Sequence, residues 1–81
     1  MNVVLADIAL AELIQIGRVI RQDNPARAET FVAELYSRCQ SLATMAQAFP
    51  LLPEWEEQGI RRRSCGNYLI FYRIADDVVE I

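Results

Sequence analysis

The chain has 81 residues, 53% of them hydrophobic, and a net charge of −3. A chain this short holds one domain, residues 1–81, with a modest core that buries roughly 60% of its unfolded surface. Its acidity argues against broad nucleic-acid binding, and no apolar run approaches the roughly 20 residues of a membrane span.

The N-terminus lacks the basic-then-apolar layout of a signal peptide, so a cytoplasmic location is expected. There is no histidine, which removes the commonest general base and metal ligand. Cys39 and Cys65 are far apart and lack metal-ligand spacing, so they read as buried free thiols. No cofactor is expected. The apolar surplus points to hydrophobic surface held for a partner.

In chain order, Asn2-Val3-Val4-Leu5 is short and branched and reads as a first strand. A helix then opens at Ala6 or Asp7 and runs to about Gln22. Ala9, Leu10, Leu13, Ile14, Ile16, Gly17 and Ile20 share one broad arc of it. Gly17 inside that arc lowers helix propensity by about 1 kcal/mol against alanine, and close approach of a second helix is the expected compensation.

Asp23-Asn24-Pro25 is the clearest punctuation in the chain. Asparagine suits an N-cap and proline the first helical turn, so a second helix starts at Pro25. With so short a joint the two helices fold back as an antiparallel hairpin. The second runs to about Gln47 or Ala48. Ala28, Phe31, Leu35, Leu42, Ala46 and Phe49 form its stripe, widened by Val32, Cys39 and Ala43, with Tyr36 at the margin.

Pro50 to Gly59 is the main loop, expected to be docked through Leu51, Leu52 and Trp55. Trp55 reads either as a lid on the small core or as an interface anchor. Ile60 to Ser64 reads as a strand despite Arg61-Arg62-Arg63. Glu54, Glu56 and Glu57 lie just upstream and could neutralise those arginines. Cys65-Gly66-Asn67 turns the chain into Tyr68-Leu69-Ile70-Phe71-Tyr72-Arg73. Both alternate sets of that run are mostly apolar, so it is expected to be a central strand covered on both faces. Asp76-Asp77 then turns it into Val78-Val79-Glu80-Ile81. The expected fold is α+β, in two layers, ordered β-α-α-β-β-β. A helical hairpin lies across one face of a small antiparallel sheet, and the first strand sits beside a meander strand.

The succession Ala9, Leu13, Ile16, then Asn24-Pro25, Ala28 and Phe31, then Leu35, Cys39 and Leu42 resembles the ParE branch of the RelE/ParE toxin superfamily. The second half resembles it more specifically, through Arg61, Gly66, Tyr68-Leu69-Ile70-Phe71-Tyr72-Arg73 and Val79-Glu80-Ile81. The likeness covers nearly the whole chain. Ala6 departs from the family, standing where a serine cap is frequent. Arg63 departs too, standing where an aromatic or apolar residue is common. Relatives usually continue the last strand through an Arg-Val-Leu-His-like segment tied to toxicity, which this sequence lacks.

The resemblance implies the toxin of a bacterial type II toxin–antitoxin module. Its implied target is DNA gyrase, and its implied partner is a ParD-like antitoxin in a hetero-oligomer. Such a toxin acts by contact rather than by making or breaking bonds. Two other readings stay open. One is a RelE-like ribosome-dependent messenger-RNA endonuclease. The other is a non-toxic remnant that still binds antitoxin. No base–acid pair stands out for RNA cleavage. Arg61 and Arg73 are the leading candidates for contacts to antitoxin or target, with Arg62, Arg63 and Tyr68 behind them. The competing reading pairs Arg61 and Arg73 internally with Glu80, Asp76 or Asp77.

Overall fold

Asn24 and Pro25 set the geometry of the helical layer. In the computed structural model, which describes residues 1–81, helix α1 spans Asp7–Asp23 and helix α2 spans Pro25–Met45. The Asn24 side chain accepts a hydrogen bond from the Arg27 N–H at 3.0 Å and caps α2, while Pro25 occupies its first turn. Helix α1 follows Ala6 and has no side-chain cap. Gly17 lies where the two helices come close, since a Cβ built there would sit 3.0 Å from Val32 Cγ2. The expected close approach is therefore present.

Strand β1 is Asn2–Val4, β2 is Arg61–Cys65, β3 is Tyr68–Ala75 and β4 is Val78–Glu80. They form one sheet in the order β1-β4-β3-β2. The β2–β3 and β3–β4 pairs are antiparallel, with Arg63 opposite Ile70 and Arg73 opposite Glu80. Gly66 at φ 60° and Asp76 at φ 55° supply the left-handed residues of the two tight turns. The first strand lies beside β4 as expected, but in parallel register, with Val3 opposite Val79. The sheet is thus mixed. Both strands run toward the start of α1, and the Ala6 N–H donates to the Ile81 carbonyl at 2.8 Å.

The core is built on α2. Phe31, Leu35, Cys39, Leu42 and Ala46 pack against Cys65, Ile70, Tyr72 and Val79, all of them buried. Both cysteines are free thiols within this core, and burial pushes the Cys39 thiol above its ordinary range. No residue of α1 is fully buried, although Leu13, Ile16 and Ile20 lean on the core.

Two expectations are corrected. β3 is central in strand order, but only its Ile70/Tyr72 face is covered. Leu69 and Phe71 on the other face are 48% and 49% exposed. Both helices lie on one side of the sheet, and 81 residues supply no third layer. Trp55 is not a lid. It sits in a short 3₁₀ turn, Pro53–Trp55, and is 53% exposed. The loop is held by its backbone instead. The Leu52 N–H donates to the Ile60 carbonyl at 2.8 Å, and the Arg62 N–H donates to the Pro50 carbonyl at 3.1 Å.

Candidate partner-binding site

A partly covered helix beside a half-bare sheet leaves a groove. It runs between the first turns of α1 and the first half of β3 and has a volume of about 270 Å³. Ile8, Leu13 and Ile16 form one wall, Leu69, Ile70 and Phe71 the other, and Leu35 and Cys39 lie along it. Twelve of its thirteen lining residues are hydrophobic, and Glu12 is the exception. The apolar surface extends outward through Ile8, which is 70% exposed. Isolated exposed apolar residues are ordinary, but a contiguous set around a groove marks a contact surface.

The arginines divide by strand alternation. The Arg61 guanidinium donates to the Phe49 carbonyl at 2.7 Å. Arg63 donates to the Arg38 carbonyl at 2.8 Å and to Ser41 Oγ at 2.6 Å, and it lies 4.7 Å above the Phe49 ring. These two tie β2 to the second half of α2 and to the segment that follows it. Arg62 points the other way and is exposed. Arg73 is paired with Glu80 at 3.0 Å across β3 and β4, half exposed. That is one of the internal pairings weighed from sequence. Arg61 instead meets a carbonyl, and Glu54, Glu56 and Glu57 form no ion pair with the arginine run. Tyr68 lines the groove and packs its ring 5.4 Å from that of Phe31, over which the Arg27 guanidinium lies at 5.1 Å.

The structure therefore scatters the residues singled out from sequence. Tyr68 reaches the groove. Arg62 and Arg73 share the open sheet face with Leu69 and Phe71, Arg62 standing opposite Phe71 in the register. Arg61 and Arg63 bind the molecule's own carbonyls, and Trp55 stands apart on the loop. The groove residues Ile8, Glu12, Leu69 and Phe71 were not singled out. Their signal was the apolar second face of β3 together with an apolar arc on α1 broader than one helix can bury.

Chemically, the site offers apolar area, one carboxylate and two exposed arginines. No three histidine, cysteine or acidic side chains come together to hold a metal ion, and no helix is long and apolar enough to cross a membrane. The model of the family described as ParE toxin of type II toxin-antitoxin system, parDE, matches residues 3–81. No curated protein matches the chain at a significant level.

Proposed function

The chain belongs to the ParE toxin family of type II toxin–antitoxin systems, and on that premise we propose that it poisons DNA gyrase and is neutralised by a ParD-like antitoxin that fills the α1–β3 groove. The observation that carries the antitoxin part is the groove itself, whose apolar walls are joined to a bare sheet face. Covering such a surface is favourable by about 25 cal/mol per Å² of apolar area removed from water.

Contact rather than bond-making is the mode of action in this proposal. Leu69 and Phe71 supply apolar anchors, while Arg62 and Arg73 at the rim supply forked donors for carboxylates. Tyr68 adds an aromatic edge at the groove. A RelE-like nuclease would need arginines free to meet a phosphorane; Arg61 and Arg63 are engaged with carbonyls, which of the sheet arginines leaves only Arg62 and Arg73 for that role.

The test is expression of the 81-residue chain with and without the protein encoded in the neighbouring reading frame. The expected result is growth arrest relieved by that neighbour, with gyrase supercoiling inhibited by the purified chain and messages left intact. Site-specific cleavage of ribosome-bound messages would replace gyrase as the target. Unarrested growth together with tight binding of the neighbour would replace the toxin reading by that of an antitoxin-binding remnant.

A further inference from the structure

Helix α1 buries no residue completely, and what it leaves bare divides into two flanks. Ile8, Ala9 and Glu12 border the α1–β3 groove. On the other flank Ile14, Gly17, Arg18 and Arg21 border a hollow against Ala28, Glu29 and Val32 of α2. Residues seven apart lie nearly in line on a helix, two turns from one another. Asp7, Ile14 and Arg21 form such a series, with Leu10 close beside the line. Ile14 is 55% exposed and Leu10 41%. The ion pairs of the molecule are Arg27–Glu34 and Arg73–Glu80, so neither Asp7, Arg18 nor Arg21 has a charged partner. The flank is thus an exposed apolar centre with an unpaired acid two turns before it and an unpaired base two turns after it.

Such a pattern is its own complement when turned end for end. We propose that this flank of α1 is a self-association face, whose partner is a second copy of the chain laid antiparallel about a two-fold axis through Ile14. Ile14 then meets its counterpart, and Asp7 of each copy meets Arg21 of the other. Leu10 falls under the aliphatic stem of Arg18, and Ala11 faces Gly17, two small positions that let the backbones approach. Each charge lies about 10 Å from the axis, by the rise per residue of a helix. At a shallow crossing of about 20° the two helices separate sideways by only about 4 Å over that length, within reach of an arginine. Tyr36 of α2 is 46% exposed and one turn from Val32, and it adds aromatic area beside the contact. The charges exclude the alternatives. A parallel pair would set Asp7 on Asp7 and Arg21 on Arg21. Moving the antiparallel axis one turn either way would set Ile14 against Asp7 or Arg21. The contact is small, so the dimer belongs with the weaker interfaces. It shares no residue with the α1–β3 groove, so it goes beyond the antitoxin reading and does not rest on it.

The test is sedimentation equilibrium of the whole chain at low salt, where exposed charges are least screened. The expected result is a mass that climbs toward that of two chains as the concentration passes about 100 µM. Ile14→Asp should hold the mass at that of one chain while leaving the urea midpoint nearly unchanged, since the side chain is already exposed. Asp7→Arg and Arg21→Asp should each weaken self-association by about tenfold or more, because each sets like charges together twice. Mixed in equal amounts, these two variants should form a mixed dimer as readily as the wild-type chain dimerises, since every charge then meets its opposite. A loss of helix stability in the single variants could not produce that recovery. A single-chain mass up to about 1 mM would overturn the proposal. A dimer that survives Ile14→Asp would overturn it by placing the contact on another face. A mixture of the two charge variants that stays monomeric would overturn the antiparallel register. Growth arrest and antitoxin binding are scored separately, so none of these results moves the toxin reading.

Discussion

The Tyr72 hydroxyl donates a 2.6 Å hydrogen bond to the Ala46 carbonyl, joining the middle of β3 to the end of α2. Tyr72 is 1% exposed, so neither group can turn to water instead. Tyr72→Phe should lower stability by about 1–3 kcal/mol, because the carbonyl is left without this donor. Urea unfolding at neutral pH measures the loss.

The same burial makes the fold sensitive to alkali. It raises the Tyr72 phenol above its ordinary value, with Arg61 and Arg63 opposing in part. It also raises the Cys39 thiol, aided by Cys65 and opposed by Arg63. An acid that titrates later in the folded state than in the unfolded one contributes stability that is whole below its unfolded pKa. That contribution is lost as pH rises through the folded pKa. Stability should hold to about pH 9 and fall beyond it as unfolded thiols and phenols ionise. Comparing urea midpoints at neutral and alkaline pH checks this, and the decline should be shallower in Tyr72→Phe.

Arg62 and Arg63 are adjacent and should behave differently. Arg63→Ala removes two hydrogen bonds to α2 and a guanidinium stacked on Phe49. A loss of about 1.5–3 kcal/mol is expected, as for hydrogen bonds to a charged group. Arg62→Ala changes an exposed side chain and should stay within about 0.5 kcal/mol. Thermal melts of the two variants settle the order. If Arg62→Ala were the more damaging, the division of roles along β2 would be wrong.

Much of this architecture was legible because local signals agreed. Asn24-Pro25 could only cap and start a helix, and Gly66-Asn67 and Asp76-Asp77 could only turn a chain. The α2 stripe from Phe31 to Ala46 named over half of the core cluster. What was not legible depended on the count of layers. The pattern Leu69, Phe71 is apolar whether a strand face is packed or bare, so periodicity alone could not leave it open to solvent. The arginine roles failed to show for a similar reason. Alternation puts Arg61 and Arg63 on one face, but the Phe49 and Arg38 carbonyls that they meet there are visible only once α2 is docked. The parallel β1–β4 pair likewise depends on where the helical hairpin returns the chain.

Gly17 and Val32 make a steric pair that can be tested by a double-mutant cycle. Gly17→Leu would drive a side chain into α2 and should cost about 1–3 kcal/mol, the range for overpacking. Gly17→Ala sets a helix gain of about 1 kcal/mol against a Cβ placed 3.0 Å from Val32 Cγ2. In a Val32→Ala background that clash is gone, and Gly17→Ala should then stabilise by most of the helix gain. Chemical denaturation of the four proteins gives the coupling energy. A coupling near zero would mean that the hairpin is not held apart at this point.

The Arg73–Glu80 pair separates structure from recognition. Its side chains are 50% and 44% exposed, so solvent screens an attraction that the 3.0 Å separation would otherwise make strong. Its coupling by double-mutant cycle should be no more than about 0.2–1 kcal/mol. Arg73→Ala should therefore leave the urea midpoint nearly unchanged. If Arg73 meets an acidic group of the antitoxin, the same variant should weaken antitoxin binding by about tenfold or more, since a single interfacial charge pair can be worth 1.4 kcal/mol. Titration of the antitoxin into wild-type chain, Arg73→Ala and Glu80→Gln reads both effects. Release from Glu80 should leave Arg73 freer for its partner, so Glu80→Gln should bind at least as tightly as wild type. Loss of folding in Arg73→Ala would place the residue in the fabric of the sheet, and unchanged antitoxin affinity would take it out of the interface.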